Sequence, residues 1–310
     1  MKKILIAILL VLSVNNFLYS QSIKKVVLND KDAFSGYYLA IEPCSDSIAG
    51  VLVLLAGFGE KAEWIFPETK LHNVAYVNRI LTIGFAEGNK ISADSAVQSK
   101  LSAVLEDVLR KYKVHQEDFV LGGYSAGGIV AMRYVELCNE YPDKYPIRPK
   151  GIFTVDSPVD IVKLWDGLEK SYKHNYSDAA YKEAEYVMNY LKNDYGIPSE
   201  NDTIYSYLSP FSMDTKYGEH EKYLKDIAVR TYHDVDIAWR LINSNQSVKD
   251  DNYFSTSELI RRLLAMGNKK AEFMQSYQTG YRSNGRRHPH SWSIVNEIEC
   301  VQWIKGLLKK

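Results

Sequence analysis

The chain has no excess charge of either sign: 38 lysines and arginines balance 38 aspartates and glutamates. Nucleic-acid binders draw most of their affinity from a positive surplus, so this balance excludes that partner class. Cysteine is scarce, with only Cys44, Cys138 and Cys300. An odd, widely spaced set cannot pair fully, and a chain of this size buries enough core to manage without disulfides. Cys138 and Cys300 fall in helical patterns, where a buried thiol acts as a small apolar residue. All three read as structural. Eighteen glycines and nine prolines in 310 residues are too few for a fibrous or low-complexity protein. Nor is there an apolar run of the ~20 residues that a membrane span requires. The longest opening run, Ile4 to Val14, follows Met1-Lys2-Lys3 and stops at Asn15-Asn16. With the small residues of Ser20-Gln21-Ser22 behind it, this is the pattern of a secretory signal over residues 1–22. It predicts export, to a periplasm or beyond the cell.

What the chain does have is alternation. Val51–Ala56 is apolar throughout, and a strand apolar on both faces belongs in a sheet covered on both sides. Ile80–Phe85, Phe119–Gly122, Gly151–Val155 and Ile227–Tyr232 look similar, and Ala271–Tyr277 reads as the last strand. Two shorter β-rich pieces, Lys24–Leu28 and Gly36–Ile41, come first. Between the strands lie helical patterns, such as Val97, Leu101, Val104, Leu105 and Val108. Strand and helix in turn predict an α/β class with a doubly wound, mostly parallel sheet. The alternation breaks between Asp160 and Lys225, where Ser177 can cap a helix over 178–195 that Gly196 and Pro198 would end. A helical cap inserted over about residues 160–225 of one domain spanning 23–310 is the simplest account.

The most informative residues are Gly123-Tyr124-Ser125-Ala126-Gly127, set between a strand and a helix. A serine on so tight a turn has a strained backbone that pushes its hydroxyl above the sheet. Glycine is needed two residues to either side because side chains there would collide. The helix that starts behind Ser125 also aims its first N–H groups at any negative charge forming nearby.

In this setting the sequence resembles the α/β-hydrolase family, by element order over roughly residues 35–310. The resemblance implies a serine hydrolase in which an acid and then a histidine follow the nucleophile. The histidine should stand between the last strand and the last helix. His288 and His290 qualify, and His290, next to the helix start, is preferred. No Cys/His/carboxylate cluster accompanies the pair to complete a metal shell, so no metal or cofactor is implied. The acid is expected after the penultimate strand, in His233-Asp234-Val235-Asp236. Asp236 is preferred, with Asp234 close by and Asp156, after the preceding strand, as alternatives. Such an aspartate would fix the histidine tautomer and stabilise the imidazolium. The resemblance further implies an oxyanion hole from the amides of Ala126 and of Phe58, in Ala56-Gly57-Phe58-Gly59.

Tyrosine is plentiful, and 10 of the 23 fall between Asp160 and Lys225, where even scatter would put about five. Aromatic rings there would line a substrate pocket. Trp165, Tyr205 and Tyr207 are the candidates, with Tyr124 beside the nucleophile. Arg286-Arg287 read as a solvated pair that could attract an acidic substrate. Hydrolysis of a small-molecule or saccharide-linked carboxylic ester is the expected activity. Peptide cleavage, acyl transfer and a non-catalytic binding role on the same fold are the alternatives.

Overall fold

The computed structural model describes residues 21–309, apart from 46, 176 and 215–218. The expected signal segment falls, but for its last two residues, outside the described residues. Eight strands build one sheet: β1 (Lys24–Val27), β2 (Tyr37–Ile41), β3 (Gly50–Leu55), β4 (Ile80–Phe85), β5 (Phe119–Tyr124), β6 (Gly151–Val155), β7 (Ala228–Asp234) and β8 (Ala271–Ser276). Their spatial order is β1-β2-β4-β3-β5-β6-β7-β8. β1 and β2 form an antiparallel edge, and every pairing from β4 to β8 is parallel.

The apolar run of β3 explains the two-sided sheet. Successive side chains point to opposite faces, so Val51, Val53 and Leu55 enter one core and Leu52 and Leu54 the other. Helices α1 (Leu71–Val77), α2 (Ser95–Tyr112) and α3 (Ala126–Glu140) follow the early strands. The face holding Val51 packs on Val97, Leu101, Val104 and Val108 of α2 and on Val130 and Val135 of α3. The opposite face packs on Leu71 and Ala75 of α1 and on Val301 and Ile304 near the C-terminus. Each such side chain, fully withdrawn from water, contributes roughly 1.5–3 kcal/mol.

Between β6 and β7 stand α4 (Ile161–His174), α5 (Asp178–Tyr195) and α6 (Asp202–Leu208). The cap of α5 is the expected one: the Ser177 side chain accepts from the Ala180 amide, and Gly196 at φ +77° ends the helix. These three helices share a small core of Ile161, Leu191, Tyr205 and Leu208, which docks on Ile91 and Ile129 of the sheet domain. The chain then runs through β7, α7 (Ile237–Ser244), α8 (Asn252–Ala265), β8 and α9 (Glu297–Leu308).

Two boundaries differ from the sequence reading. β5 continues through both glycines to Tyr124 rather than ending at Gly122. The last helix starts at Glu297, because the Asn296 side chain caps it by accepting from the Glu299 amide; Ile294 belongs to a separate turn. Because β3 to β8 are parallel, the loops that leave their carboxyl ends gather at one edge of the sheet, where ligands bind in open α/β sheets. Ser125, Asp156, the 56–60 loop and Asp234 to Asp236 all leave the sheet there.

Candidate active site

Ser125 occupies the turn between β5 and α3 with φ +53° and ψ −125°, a conformation that costs a non-glycine residue on the order of 1–3 kcal/mol. Its amide donates to the Val155 carbonyl at 3.0 Å, which locks the turn to the neighbouring strand end. The two glycines are required by contact. A Cβ on Gly123 would lie 2.1 Å from the Gly127 carbonyl oxygen, and one on Gly127 would lie 2.2 Å from that of Ala56. The second distance also shows how closely α3 approaches the loop after β3.

Register then selects the carboxylate that stands beside Ser125. Tyr124 pairs with Val155, so the next residues, Ser125 and Asp156, leave adjacent strands side by side. Asp156 is buried, at φ +42°. Its Oδ2 accepts from His290 Nδ1 at 2.7 Å and from Arg240 Nη2 at 3.1 Å, and its Oδ1 accepts from His233 Nδ1 at 3.0 Å. Burial opposes charge on this carboxyl. The hydrogen bonds from both histidines and the positive charges of His290 and Arg240 outweigh it, holding Asp156 well below the usual carboxylate range. An ionised carboxylate accepts only, so His290 holds a proton on Nδ1, and in the neutral ring the lone pair is then on Nε2.

The expected acid, Asp236, is not the partner of His290. It is the N-cap of α7: its Oδ1 accepts from the Trp239 amide at 3.0 Å and its Oδ2 from Arg287 at 2.9 Å. Asp234 is likewise committed, accepting from the amides of Gln278 and Gly280 at 2.7 Å each and from Arg287. Both aspartates hold the loop that carries the histidine. The Arg286-Arg287 pair divides accordingly: Arg286 is exposed, and Arg287 is bound to these two carboxylates. His288 supports its neighbour, because its Nδ1 accepts from the His290 amide at 3.2 Å. Burial first, then the nearby charges of His290, Arg282 and Arg240, bring His288 down to about 4, so it stays neutral and keeps that lone pair.

The sequence reading missed His233 and Arg240 as parts of this cluster. His233 is fully buried, stacks on Phe273 at 5.2 Å between ring centres, and its Nε2 has no hydrogen-bond partner among the described residues. Arg240 Nε lies 2.6 Å from Asp251 Oδ2, though not aligned as a hydrogen bond. Burial raises Asp251 to about 6 against the pull of Arg240. Asn252 completes the cradle by donating to the Asp156 carbonyl at 2.8 Å. The one signal for His233 was its place at a strand end, where it was read only as part of the acid turn.

In the loop after β3, the amides of Gly57, Gly59 and Glu60 donate to the Glu60 carboxylate, the Gly88 carbonyl and the Gly57 carbonyl. Among the described residues the Phe58 amide has no such partner. Ala126 opens α3, where first-turn amides lack a partner within the helix. Gly57 lies against the ring of Tyr124, since a Cβ there would sit 3.1 Å from Tyr124 Cδ1. The loop after β3 therefore lies against the residue that precedes Ser125.

No protein-family profile and no curated protein match this chain. Solved structures do. Esterase B from Lactobacillus rhamnosis aligns at TM-score 0.59 and 11% identity, covering 99% of this chain and 96% of that one. An esterase of Pyrobaculum calidifontis aligns at 0.56 and 14%, covering 98% and 89%. A fluorophosphonate-binding serine hydrolase of Staphylococcus aureus, solved with substrate bound, aligns at 0.53 and 12%, covering 94% and 99%. The chain has the α/β-hydrolase fold.

On this α/β-hydrolase core the inserted helices meet the site through other tyrosines than those expected. Phe58 packs against Tyr190 and Tyr186 of α5, at 5.1 and 5.8 Å between ring centres. Trp165, on α4, packs on the same small cluster. Tyr205 is wholly buried, with its hydroxyl on the Gly196 carbonyl, and builds the core of the inserted helices rather than a pocket. Tyr207 turns towards α2 and the middle of α3, where its hydroxyl accepts from Gln98 and its carbonyl from Arg133. Tyr124 is buried as well, lying under His290 at 4.6 Å and donating from its hydroxyl to the His290 carbonyl at 3.0 Å. It positions the histidine. Tyr176 and Tyr217 fall outside the described residues.

A cavity of about 610 Å³ opens at the far end of the sheet, lined by Ile80, Lys113, Asp118 and Lys305. It lies at the amino ends of the strands, the length of a strand from Ser125, and takes no part in the site. Among the described residues no group of three or more His, Cys, Asp or Glu side chains is placed to hold a metal ion. No described helix is long and apolar enough to cross a membrane.

The neutral His288 makes a checkable contribution to stability. The unfolded chain protonates this ring near 6.5 and the folded protein only near 4, so unfolding takes up a proton within that window. Stability from this group is complete above the window and falls as pH drops through it. Chemical denaturation of His288→Gln should lose less stability between pH 6.5 and 4.5 than the parent. Parallel pH slopes would contradict the assignment.

Proposed function

We propose that the chain is a serine hydrolase of carboxylic esters, with Ser125 as nucleophile, His290 as base and Asp156 as the acid that orients it. The observation that carries this reading is the 2.7 Å bond from His290 Nδ1 to the buried Asp156, one residue position across the sheet from the strained Ser125. His290 Nε2 removes the Ser125 hydroxyl proton as Oγ attacks the acyl carbon, and the imidazolium so formed rests against the Asp156 carboxylate. The Phe58 and Ala126 amides hold the oxyanion. His290 returns the proton to the departing alcohol, draws one from the water that attacks the acyl-enzyme, and gives it to Ser125 Oγ as the acid leaves. Every step uses groups of this chain and water. The similarity to two esterases and to a fluorophosphonate-binding hydrolase supports this chemistry. The signal-like pattern of residues 1–22 supports export, and the rings around Phe58 suit an apolar or sugar-like part of a small ester.

A fluorophosphonate probe should label the purified protein, and Ser125→Ala should abolish both labelling and turnover of p-nitrophenyl esters. Labelling that survives the substitution would overturn the nucleophile. Peptide amides turned over as fast as esters would instead support a peptidase.

Asp156→Asn should lower kcat by roughly 10⁴-fold, because an amide no longer selects the productive tautomer. Asp236→Ala removes a helix cap, worth about 1 kcal/mol of stability, and should leave kcat within roughly tenfold, about 1.4 kcal/mol of barrier. The reverse ranking would restore Asp236 as the acid.

A further inference from the structure

The arginines near the site are not equivalent. Arg240 is paired with Asp156 and Asp251, and Arg287 with Asp234 and Asp236. Arg282 has no carboxylate within ion-pair distance among the described residues, yet it is half-buried. Its guanidinium carbon lies 5.4 Å from the ring centre of Tyr124, the residue before the nucleophile. Its charge is felt both at the Tyr124 hydroxyl and at His288.

Its backbone is held firmly. The 280–288 segment folds back on itself, with Tyr281 bridged to Arg287 and the Arg282 amide donating to the Arg286 carbonyl at 2.9 Å. The Gly285 amide donates to the Arg282 carbonyl at 2.8 Å. The next residue, Ser283, is tied to Glu68 by its amide at 3.1 Å, and Tyr281 to Ser293 by its amide at 2.6 Å. The Asp234 and Asp236 carboxylates anchor the base of the segment through Arg287. The nearby acids are also engaged: Glu68 holds Ser283, and Glu60, whose charge also acts on Tyr124, accepts from the Gly57 amide. A planar fork of five donors, half withdrawn from water on a tied loop beside Tyr124, meets the Tyr124 hydroxyl and leaves its other donors without a protein acceptor among the described residues.

We infer that Arg282 receives an anionic group of the substrate, so that the preferred ester carries a carboxylate on its acyl or alcohol part. This rests on the serine-hydrolase reading above. A carboxylate meeting the fork in two parallel N–H···O bonds would displace the water that now solvates it, and bonds to charged groups are the stronger ones. The gain is expected to be about 10- to 100-fold in kcat/KM over a neutral ester of the same length.

The test is a ratio, which cancels any general damage from substitution. The kcat/KM for the p-nitrophenyl monoester of glutaric acid is divided by that for neutral p-nitrophenyl pentanoate. A second pair, 4-carboxyphenyl butyrate over phenyl butyrate, moves the charge to the leaving side. In the parent protein one of the two ratios should exceed unity and fall with added salt. R282Q should lower it about 10- to 100-fold, and R282K, which keeps the charge without the fork, should lie between. R286Q, at the exposed neighbour, should leave it unchanged. Ratios in R282Q equal to those of the parent, with neutral esters still turned over, would overturn the role of Arg282 alone. No turnover of any of the four esters by the parent would overturn the hydrolase reading and this inference with it.

Discussion

A carboxylate withdrawn from water survives only if nearly every lone pair is met, and Asp156 is the point on which this structure turns. Taking a lone carboxylate into a protein interior costs several kcal/mol even after relaxation. Here three donors meet it, from the β7 end, from α7 and from the loop after β8. A fourth, from α8, fixes its backbone. Four separate segments therefore converge on one side chain. Removing any single donor would leave a buried charge short of a partner, so the segments depend on one another through Asp156.

The same edge of the sheet concentrates backbone strain. Ser125 and Asp156 both adopt positive φ, on neighbouring strand ends that are bonded to each other through the Ser125 amide. Conformations of this kind persist where the surroundings over-determine them. The surroundings are the close approach of Gly127 to the Ala56 carbonyl, the β5–β6 register and the Asp156 cradle. Strain and charge are held by one set of contacts, and the product is a fixed Ser125 turn and an oriented His290 imidazole at one edge of the sheet.

Much of this was legible in the chain itself. Apolar strands such as Val51–Ala56 announce a covered parallel sheet because both faces are buried, and Gly123 and Gly127 announce the elbow because only glycine fits between those carbonyls. Which of the three candidate aspartates pairs with His290 was not legible. His233-Asp234-Val235-Asp236 carries the right residues in the right order, but aspartate is also the residue that caps helices and gathers loop amides, and both aspartates do so here. What distinguishes Asp156 is a lateral relation, the β5–β6 register, that no local spacing encodes. The tyrosines teach the same lesson. Their concentration in the inserted helices marks a region, but whether a ring faces Phe58, as Tyr190 does, or the interior, as Tyr205 does, depends on packing between helices.

The central claim is that Asp156 receives the Nδ1 protons of His290 and His233. Proton NMR of histidine-¹⁵N-labelled protein reports it directly, because such protons resonate far downfield of the amides. The structure predicts two nitrogen-bound resonances of this kind, both lost in Asp156→Asn and both kept in Asp236→Asn. A His290 resonance that persists in Asp156→Asn and vanishes in Asp236→Asn would contradict it.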